Sequence, residues 1–142
     1  DAEDLLLRHG VHPIKNEADG VYCSTGHLGQ GMSVAVGRAL ANRQRRVWVY
    51  ITDGECSAGS VYEALAFARH AQLWNLKVYC GWNGWAAYRE SQSYVHSALN
   101  GLFPIETRRD RPDDHDIPFI HGQEAHYKTM SEKDWQWVEA NR

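Results

Sequence analysis

The chain has 142 residues, of which 43% are hydrophobic and 23% are charged. This composition is typical of a globular protein and excludes a disordered or fibrous chain. The formal net charge of −3 and the lack of an apolar run of about 20 residues argue against nucleic acid or a membrane as a partner.

The first part of the chain is predicted to hold two helices separated by a glycine-rich loop. Residues 1–9 favour a helix because acidic residues lie in the first turn and three leucines follow. The loop covers residues 10–31, with the breakers Gly10 and Pro13 near its start. The second helix is expected from Gly29 onward, since apolar residues then recur at the spacing of one helical face: Met32, Ala35, Val36, Ala39 and Leu40.

Two strands and a further helix follow. The unbroken apolar run at residues 47–51 indicates a strand covered on both faces, and residues 76–80 indicate a second strand. Between them, Ser60 and Glu63 form a capping-box pattern that opens a helix extending to about His70. This alternation predicts the α/β class, with a parallel sheet and helices on both faces.

The pattern weakens after Trp85. Residues 88–102 favour a helix, residues 103–116 combine two prolines with a cluster of charges typical of a loop, and residues 131–141 favour a helix capped by Ser131. No repeat or low-complexity tract divides the sequence. We therefore expect a single domain over residues 1–142, which is short for a complete cofactor enzyme.

The three cysteines, Cys23, Cys56 and Cys80, are odd in number and form no CxxC pair. This argues against a disulfide framework or a zinc knuckle. We interpret Cys80, which lies in the second predicted strand, as a core residue. Such cysteine usage favours a reducing compartment, and we expect the cytoplasm.

Two polar side chains stand where the predicted strands end, Asp53 after the first and Asn83 after the second. Ligands of an open parallel sheet bind beyond the carboxyl ends of its strands, so neighbouring strands would bring the two side chains together. A carboxylate, an amide oxygen and phosphate oxygens form a site that suits Mg²⁺ or Ca²⁺ and does not suit zinc. The pair predicts a magnesium-bridged diphosphate ligand.

The glycine loop at residues 26–31 leads into a helix N-terminus, where backbone N–H groups and the helix dipole favour a phosphate. It is not the Walker-type G-x-x-x-x-G-K-[ST] loop, and its G-x-x-G-x-G spacing is not the dinucleotide fingerprint. Considered alone, the loop leaves two interpretations open, a phosphate site and close packing of a helix against a sheet.

Three linked segments resemble the transketolase family of thiamine diphosphate enzymes. Asp53 and Gly54 precede Asn83 in the way that the family's Gly-Asp-Gly motif precedes an Asn about thirty residues later. Residues 23–41 resemble the segment "TG-x-LGQG…AVG-x-A-x-A", and residues 53–64 resemble "DGE…GS-V-[WY]-EA". The segments also follow one another in the family's order.

The resemblance implies a role for each matching position. Mg²⁺ (or Ca²⁺) would be bound by the side chains of Asp53 and Asn83 and by the backbone carbonyl of Trp85. His12, and less closely His126, resemble the family's histidines that face the reacting carbon and the substrate. Thiamine diphosphate would contact the following residues: Gly26, His27, Leu28, Gly29, Asp53, Gly54 and Asn83.

Four positions depart from the transketolase pattern. Thr52 replaces the first Gly of the motif, and Gly84 follows Asn83 where a second Asn is common. His27 and Ala58 instead resemble the corresponding residues of deoxyxylulose-phosphate synthases. None of these changes removes a metal ligand, but they leave the substrate class open between a transketolase and a related synthase.

The resemblance is strong over residues 12–85, thin over residues 86–120 and moderate over residues 121–135. Nothing in the chain matches the family's pyrimidine-binding domain, whose glutamate activates the cofactor. The implied function is the diphosphate-binding part of a transferase of carbohydrate metabolism that moves a two-carbon ketol unit between sugar phosphates. It would act as a homo- or hetero-oligomer with a chain that supplies this glutamate; a non-catalytic assembly subunit is the alternative.

Overall fold

The computed structural model describes residues 2–87, 89–109 and 129–141. Within these ranges the helices are α1 (Ala2–His9), α2 (Gln30–Ala41), α3 (Gly59–His70), α4 (Ser93–Leu102) and α5 (Glu132–Ala140). The strands are β1 (Val47–Thr52), β2 (Leu76–Trp82) and β3 (Ile105–Arg109), and short 3₁₀ helices lie at Glu17–Asp19 and Glu55–Ser57. None of the described helices is long and apolar enough to span a bilayer.

The three strands form one parallel sheet in the order β1-β2-β3. In its register Ile51 pairs with Cys80, and Val78 pairs with Ile105. Parallel neighbours need a crossover connection, and α3 and α4 supply the two crossovers. The predicted α/β class with a parallel sheet is therefore confirmed.

The hydrophobic core joins α2, α3 and α4 to the sheet. In α2 the helical spacing identified Met32, Ala35, Val36 and Ala39 correctly as buried, whereas Leu40 is exposed. Burying each large aliphatic side chain contributes about 1.5–3 kcal/mol. Other large side chains of the core are also fully or almost fully buried, namely Ile51, Leu65, Leu73, Leu76 and Leu99.

One face of β1 is exposed in the part of the chain that the structure describes. Trp48 and Tyr50 are 58% and 59% exposed, and Trp48 stacks on Tyr79 of β2 with ring centroids 5.8 Å apart. The sequence predicts a strand covered on both faces, because tryptophan and tyrosine count as apolar. Their presence on the exposed face removes the alternation of apolar and polar residues that marks a half-buried strand. The observed alternation is instead that of a strand with one buried face.

The strand β3 lies where the sequence predicted a loop, over residues 103–116, and that prediction is wrong for its first part. Four of the five residues of β3 are polar or charged, so neither alternation nor an apolar run marks the strand. It forms because its backbone pairs with β2, and because the Ile105 N–H donates to Asn100 Oδ1 at 2.9 Å. Residues 110–128 lie outside the described ranges, so the rest of that loop stays a prediction.

The first turns of the helices test the predicted caps. The N-cap of α3 is Ala58, two residues before the predicted cap Ser60, and it makes no side-chain hydrogen bond. The predicted capping box of Ser60 and Glu63 is therefore wrong. In α5 the predicted cap is confirmed as a full box. The Asp134 N–H donates to Ser131 Oγ at 3.3 Å, and the Ser131 N–H donates to the Asp134 carboxylate at 2.8 Å.

Candidate functional site

Asp53 follows β1 and is buried, with 2% of its surface exposed. Its N–H donates to the Gly81 carbonyl at 3.1 Å, which holds it against the end of β2. Its carboxylate accepts from the Gly54 N–H at 3.0 Å and from the Gly84 N–H at 2.7 Å. None of the ion pairs among the described residues involves Asp53. Since each carboxylate oxygen has two lone pairs, the buried group can still bind a cation.

Asn83 follows β2 and is exposed. Its Oδ1 accepts from the Trp85 N–H at 2.8 Å, which fixes the amide within the turn. Gly84 has a φ of 88°, in the left-handed region that favours glycine, and this conformation lets its N–H reach Asp53. The structure therefore brings Asp53 and the Asn83 turn together at the carboxyl edge of the sheet.

Arg89 is a residue of this region that no sequence motif singled out. Beyond Asn83 the chain doubles back, since Trp85 and Glu90 form an antiparallel bridge and the Ala86 N–H donates to the Arg89 carbonyl at 2.8 Å. The turn carries Arg89 back toward the end of β1. As a single cation in a stretch without a motif, it gave no signal in the sequence.

A cavity of about 260 Å³ opens where β1 and β2 end, and we call it the strand-end cavity. Its polar lining includes Asp53, Asn83 and Arg89, and its apolar lining includes Leu28 and Trp85. An acidic and a basic residue therefore line one small space. Such a space can accept a cation on the acidic side and an anion on the basic side.

A second cavity of about 510 Å³ lies along the glycine loop, and we call it the loop cavity. Leu28 and Ala87 line both cavities, so the two adjoin each other. Gly26, with a φ of 130°, lines the loop cavity, and a Cβ added there would lie 3.6 Å from the His12 ring. The cleft thus has a small chamber at the strand ends and a larger chamber beside it.

The histidines predicted at the site are only partly described. His12 and His27 are exposed and line the loop cavity. His27 Nδ1 lies 3.1 Å from the Leu28 carbonyl, to which it donates when that nitrogen carries the proton. His126 lies outside the described residues, so its role stays a prediction.

Gly29 is buried and does not belong to the described lining of either cavity. It is the N-cap of α2, with a φ of 79°. A Cβ added there would lie 2.6 Å from Ser60 Oγ and 2.9 Å from Val61 Cγ2. Gly29 therefore permits close packing against α3, a helix and not the sheet, whereas Gly26 lines a cavity. The interpretation of the loop as a phosphate site stays a prediction.

Glu55 connects the glycine loop to the end of β1, a role that no sequence pattern indicated. Its carboxylate accepts from the Gly29 N–H at 3.2 Å, from the Thr52 N–H at 2.9 Å and from Thr52 Oγ1 at 3.3 Å. It therefore binds a backbone donor at the start of α2, the helix that precedes it in the chain. Gly29 and Glu55 are 26 positions apart in the sequence, and a local sequence pattern cannot indicate a contact between residues so far apart.

Replacing Glu55 with alanine should lower the free energy of unfolding by about 2 kcal/mol, because two backbone donors lose a charged acceptor. Urea denaturation monitored by circular dichroism measures the change. Glu63→Ala is the matched control, since Glu63 is exposed on α3 and such substitutions stay within about 0.5 kcal/mol. Equal effects of the two substitutions would contradict the connecting role of Glu55.

The oxygen donors at the strand ends fit the cation that the sequence predicts. The described residues contain no group of three or more His, Cys, Asp or Glu side chains that could hold a metal ion. Mg²⁺ does not need such a group, because one or two carboxylates and the phosphate oxygens of a ligand commonly bind it. The carboxylate of Asp53, the amide of Asn83 and the carbonyl of Trp85 are all hard oxygen donors, which suit Mg²⁺ or Ca²⁺.

The cysteines beneath the site are free thiols. Cys56 and Cys80 are both fully buried with their sulfur atoms 3.7 Å apart, and this confirms the interpretation of Cys80 as a core residue. The hydrogen bond with Cys56, together with burial, raises the pKa of the Cys80 thiol far above its usual range. Cys80 therefore stays protonated at neutral pH and has a structural role.

Comparison with known proteins gives partial matches. No family model matches the chain. Over 69 residues the chain is 42% identical to one subunit of the apulose-4-phosphate transketolase of Actinobacillus succinogenes, a match covering 46% of this chain and 25% of that protein. It is 42% identical over 83 residues to a protein named ferredoxin fas2 of Rhodococcoides fascians, covering 55% and 27% of the two chains. The transketolase of Homo sapiens is 41% identical over 70 residues, covering 46% and 11%.

The chain therefore spans about a quarter of the length of the first two relatives and a smaller share of the human protein. Other matches, also partial, are to transketolase-like proteins at 47–48% identity over 58 residues. Most of the relatives named here are transketolases or transketolase-like proteins, which agrees with the resemblance seen in the three motifs. Over the part that these relatives match, the chain is similar to the transketolase-like family.

Proposed function

We propose that this chain is the diphosphate-binding part of a transketolase-like transferase, and that it binds thiamine diphosphate through Mg²⁺ or Ca²⁺. The observation that carries the proposal is the buried carboxylate of Asp53 at the junction of two strand ends, where Asp53 lines a small cavity that adjoins a larger one. Ligands of open parallel sheets bind at this edge. The two chambers fit a ligand that has a charged diphosphate at one end and aromatic rings at the other.

In this proposal the strand-end cavity holds the metal and the diphosphate. Asp53, Asn83 and the carbonyl of Trp85 bind the cation, and the backbone of Gly54 contacts a phosphate oxygen. Arg89 lines the same cavity, so its guanidinium group can neutralise part of the diphosphate charge that the metal ion does not neutralise.

The loop cavity holds the ring system and the substrate end of the cleft. We assign Gly26, His27 and Leu28 to contacts with the aminopyrimidine ring, with Gly29 keeping the loop in position through its packing. Thiamine diphosphate, when bound, supplies the nucleophilic carbon that takes up the two-carbon ketol unit.

We assign His12 to hydrogen bonding with the substrate oxygens on which charge develops, a task that imidazole performs near neutral pH. His12 lies beside Gly26 at the wall of the loop cavity. We retain His126 for the same task. The substrates in this proposal are sugar phosphates.

We further propose that a second chain supplies the pyrimidine-binding domain and its activating glutamate. One relative is itself named as a subunit of a transketolase, which supports this proposal. The resulting homo- or hetero-oligomer would act in the cytoplasm, since the chain's cysteines show no pairing motif.

Calorimetric titration tests cofactor binding directly. Thiamine diphosphate should bind the chain in the presence of Mg²⁺ and much more weakly in its absence. If neither the chain alone nor the chain mixed with a pyrimidine-binding partner binds the cofactor, the proposal fails.

A coupled assay of ketol transfer, with partner chain and sugar phosphates added, tests the reaction. Cofactor binding without turnover in any such mixture would favour a non-catalytic assembly role. Because His27 and Ala58 resemble deoxyxylulose-phosphate synthases, a screen of donor substrates distinguishes such a related synthase from a transketolase.

A further inference from the structure

A third cavity, of about 380 Å³, lies where α2 ends and β1 begins. Asp53 follows the last residue of β1, whereas this cavity is lined by the strand's first two residues, Val47 and Trp48. At a rise of about 3.3 Å per residue, the length of the strand separates it from the strand-end cavity. We call it the arginine cavity, because its lining includes Arg38, Arg45 and Arg46.

The charge of the arginine cavity is not balanced by acidic side chains. Its lining includes three arginines and no acidic residue, and none of the ion pairs among the described residues involves these arginines. Arg38 lies in the last turn of α2, where a cation is favoured by the helix dipole, and also lies 5.2 Å from the centre of the Tyr22 ring. Arg45 and Arg46 lie beyond the helix, so the dipole does not account for them.

The backbone around the arginine cavity is held by two asparagines. Asn42 Oδ1 accepts from the Gln44 N–H at 3.0 Å and from the Arg45 N–H at 3.2 Å, which closes the turn after α2. Asn75 Nδ2 lies 3.0, 3.2 and 2.9 Å from the carbonyls of Ala39, Asn42 and Arg45. Because the amide nitrogen carries two hydrogens, it can donate to two of these carbonyls at a time, which joins the end of α2 to the turn that follows it. The turn that carries the arginines is therefore fixed before any ligand binds.

We propose that the arginine cavity binds a phosphoryl group, as a site separate from the cofactor site and independent of the function proposed above. Guanidinium groups bind phosphate oxygens in pairs of parallel hydrogen bonds, and three arginines line this one space. The volume lies within the range of small-molecule sites, and Trp48, an apolar residue, is also part of the lining. Either a small organic phosphate or free phosphate carries the chemistry that this site recognises.

Calorimetry of the whole chain at low ionic strength tests the site, with inorganic phosphate and glycerol 3-phosphate as the two probes. Both should bind in a one-to-one ratio, and the tighter of the two identifies the source of the phosphoryl group. Arg45→Lys and Arg46→Lys keep the charge but lose the planar fork, so each should weaken binding roughly tenfold. Arg45→Gln should weaken it further.

Arg43→Gln is the matched control, since Arg43 belongs to the same basic run but donates to the Ala71 carbonyl at 3.0 Å and does not line the cavity. It should leave phosphate affinity within about twofold. Equal losses for Arg43→Gln and Arg45→Gln would indicate diffuse attraction and would overturn the proposal. So would tighter binding of a single-stranded oligonucleotide than of either phosphate probe, or full affinity in both lysine variants. Urea denaturation of each variant confirms that it folds.

Discussion

Asp53→Ala is expected to abolish the magnesium-dependent part of thiamine diphosphate binding, weakening it at least a hundredfold, or about 2.7 kcal/mol. The reason is the position of this carboxylate: it is 2% exposed, it lies at the meeting point of two strands, and it faces the strand-end cavity. In the proposed site it is the single protein carboxylate on the cation. An amide and a carbonyl bear no net charge and cannot replace it.

The magnesium dependence separates this expectation from a general loss of structure. Calorimetric titrations of wild type and variant, each with Mg²⁺ and with a chelator, form a four-point cycle. In wild type the chelator should reduce the affinity at least a hundredfold, whereas in Asp53→Ala it should change little because the metal no longer binds. A variant that retains the full response to Mg²⁺ would exclude Asp53 as a ligand.

Asp53→Asn gives a second control for the same experiment. It keeps the shape of the side chain but removes the charge, and one of its terminal atoms becomes a donor facing the Gly54 or Gly84 N–H. Because a buried donor that meets a donor is unfavourable, we expect a loss of about 1–3 kcal/mol in the free energy of unfolding. Loss of metal response in a variant that is still folded at the titration temperature would assign the effect to charge.

The parts of this fold that the sequence predicts are those specified by local patterns. The helical face of α2 follows from its periodicity, and the strands β1 and β2 follow from their apolar runs. Asp53 and Asn83 could be expected to meet because parallel strands end at one edge of a sheet. The direct contact, from the Gly84 N–H to Asp53 across 31 positions, depends on the left-handed turn and is not visible in any local window.

The failures have physical causes of the same kind. β3 is polar and short, so only its pairing with β2 makes it a strand. The exposed face of β1 could not be predicted, because Trp48 and Tyr50 are apolar residue types although both side chains are exposed to solvent. Glu55 and Arg89 act through contacts made by turns of the chain, and each is a common surface residue when considered in sequence. Residues whose role depends on tertiary contacts therefore cannot be recognised from a sequence pattern. Residues that directly follow a predicted strand can be recognised.

Gly29→Ala and Gly37→Ala should change stability in opposite directions, although both replace a glycine of the same helical segment with the same residue. Gly29 has a φ of 79°, a conformation that costs an alanine about 1–2 kcal/mol. The added methyl group would also lie 2.9 Å from Cγ2 of Val61, a fully buried and β-branched side chain that cannot move aside without disturbing the core. We expect a total loss of about 3 kcal/mol or more in the free energy of unfolding.

Gly37 lies within α2, and a Cβ added there meets nothing within 4 Å among the described residues. Alanine should therefore stabilise the protein by about 0.5–1 kcal/mol, through the smaller conformational freedom of the unfolded chain. Urea denaturation of the two variants beside wild type measures both changes at once. A small, equal change in both would mean that α2 can shift away from α3. In that case the glycine loop would owe its conformation to Glu55 rather than to the packing of Gly29.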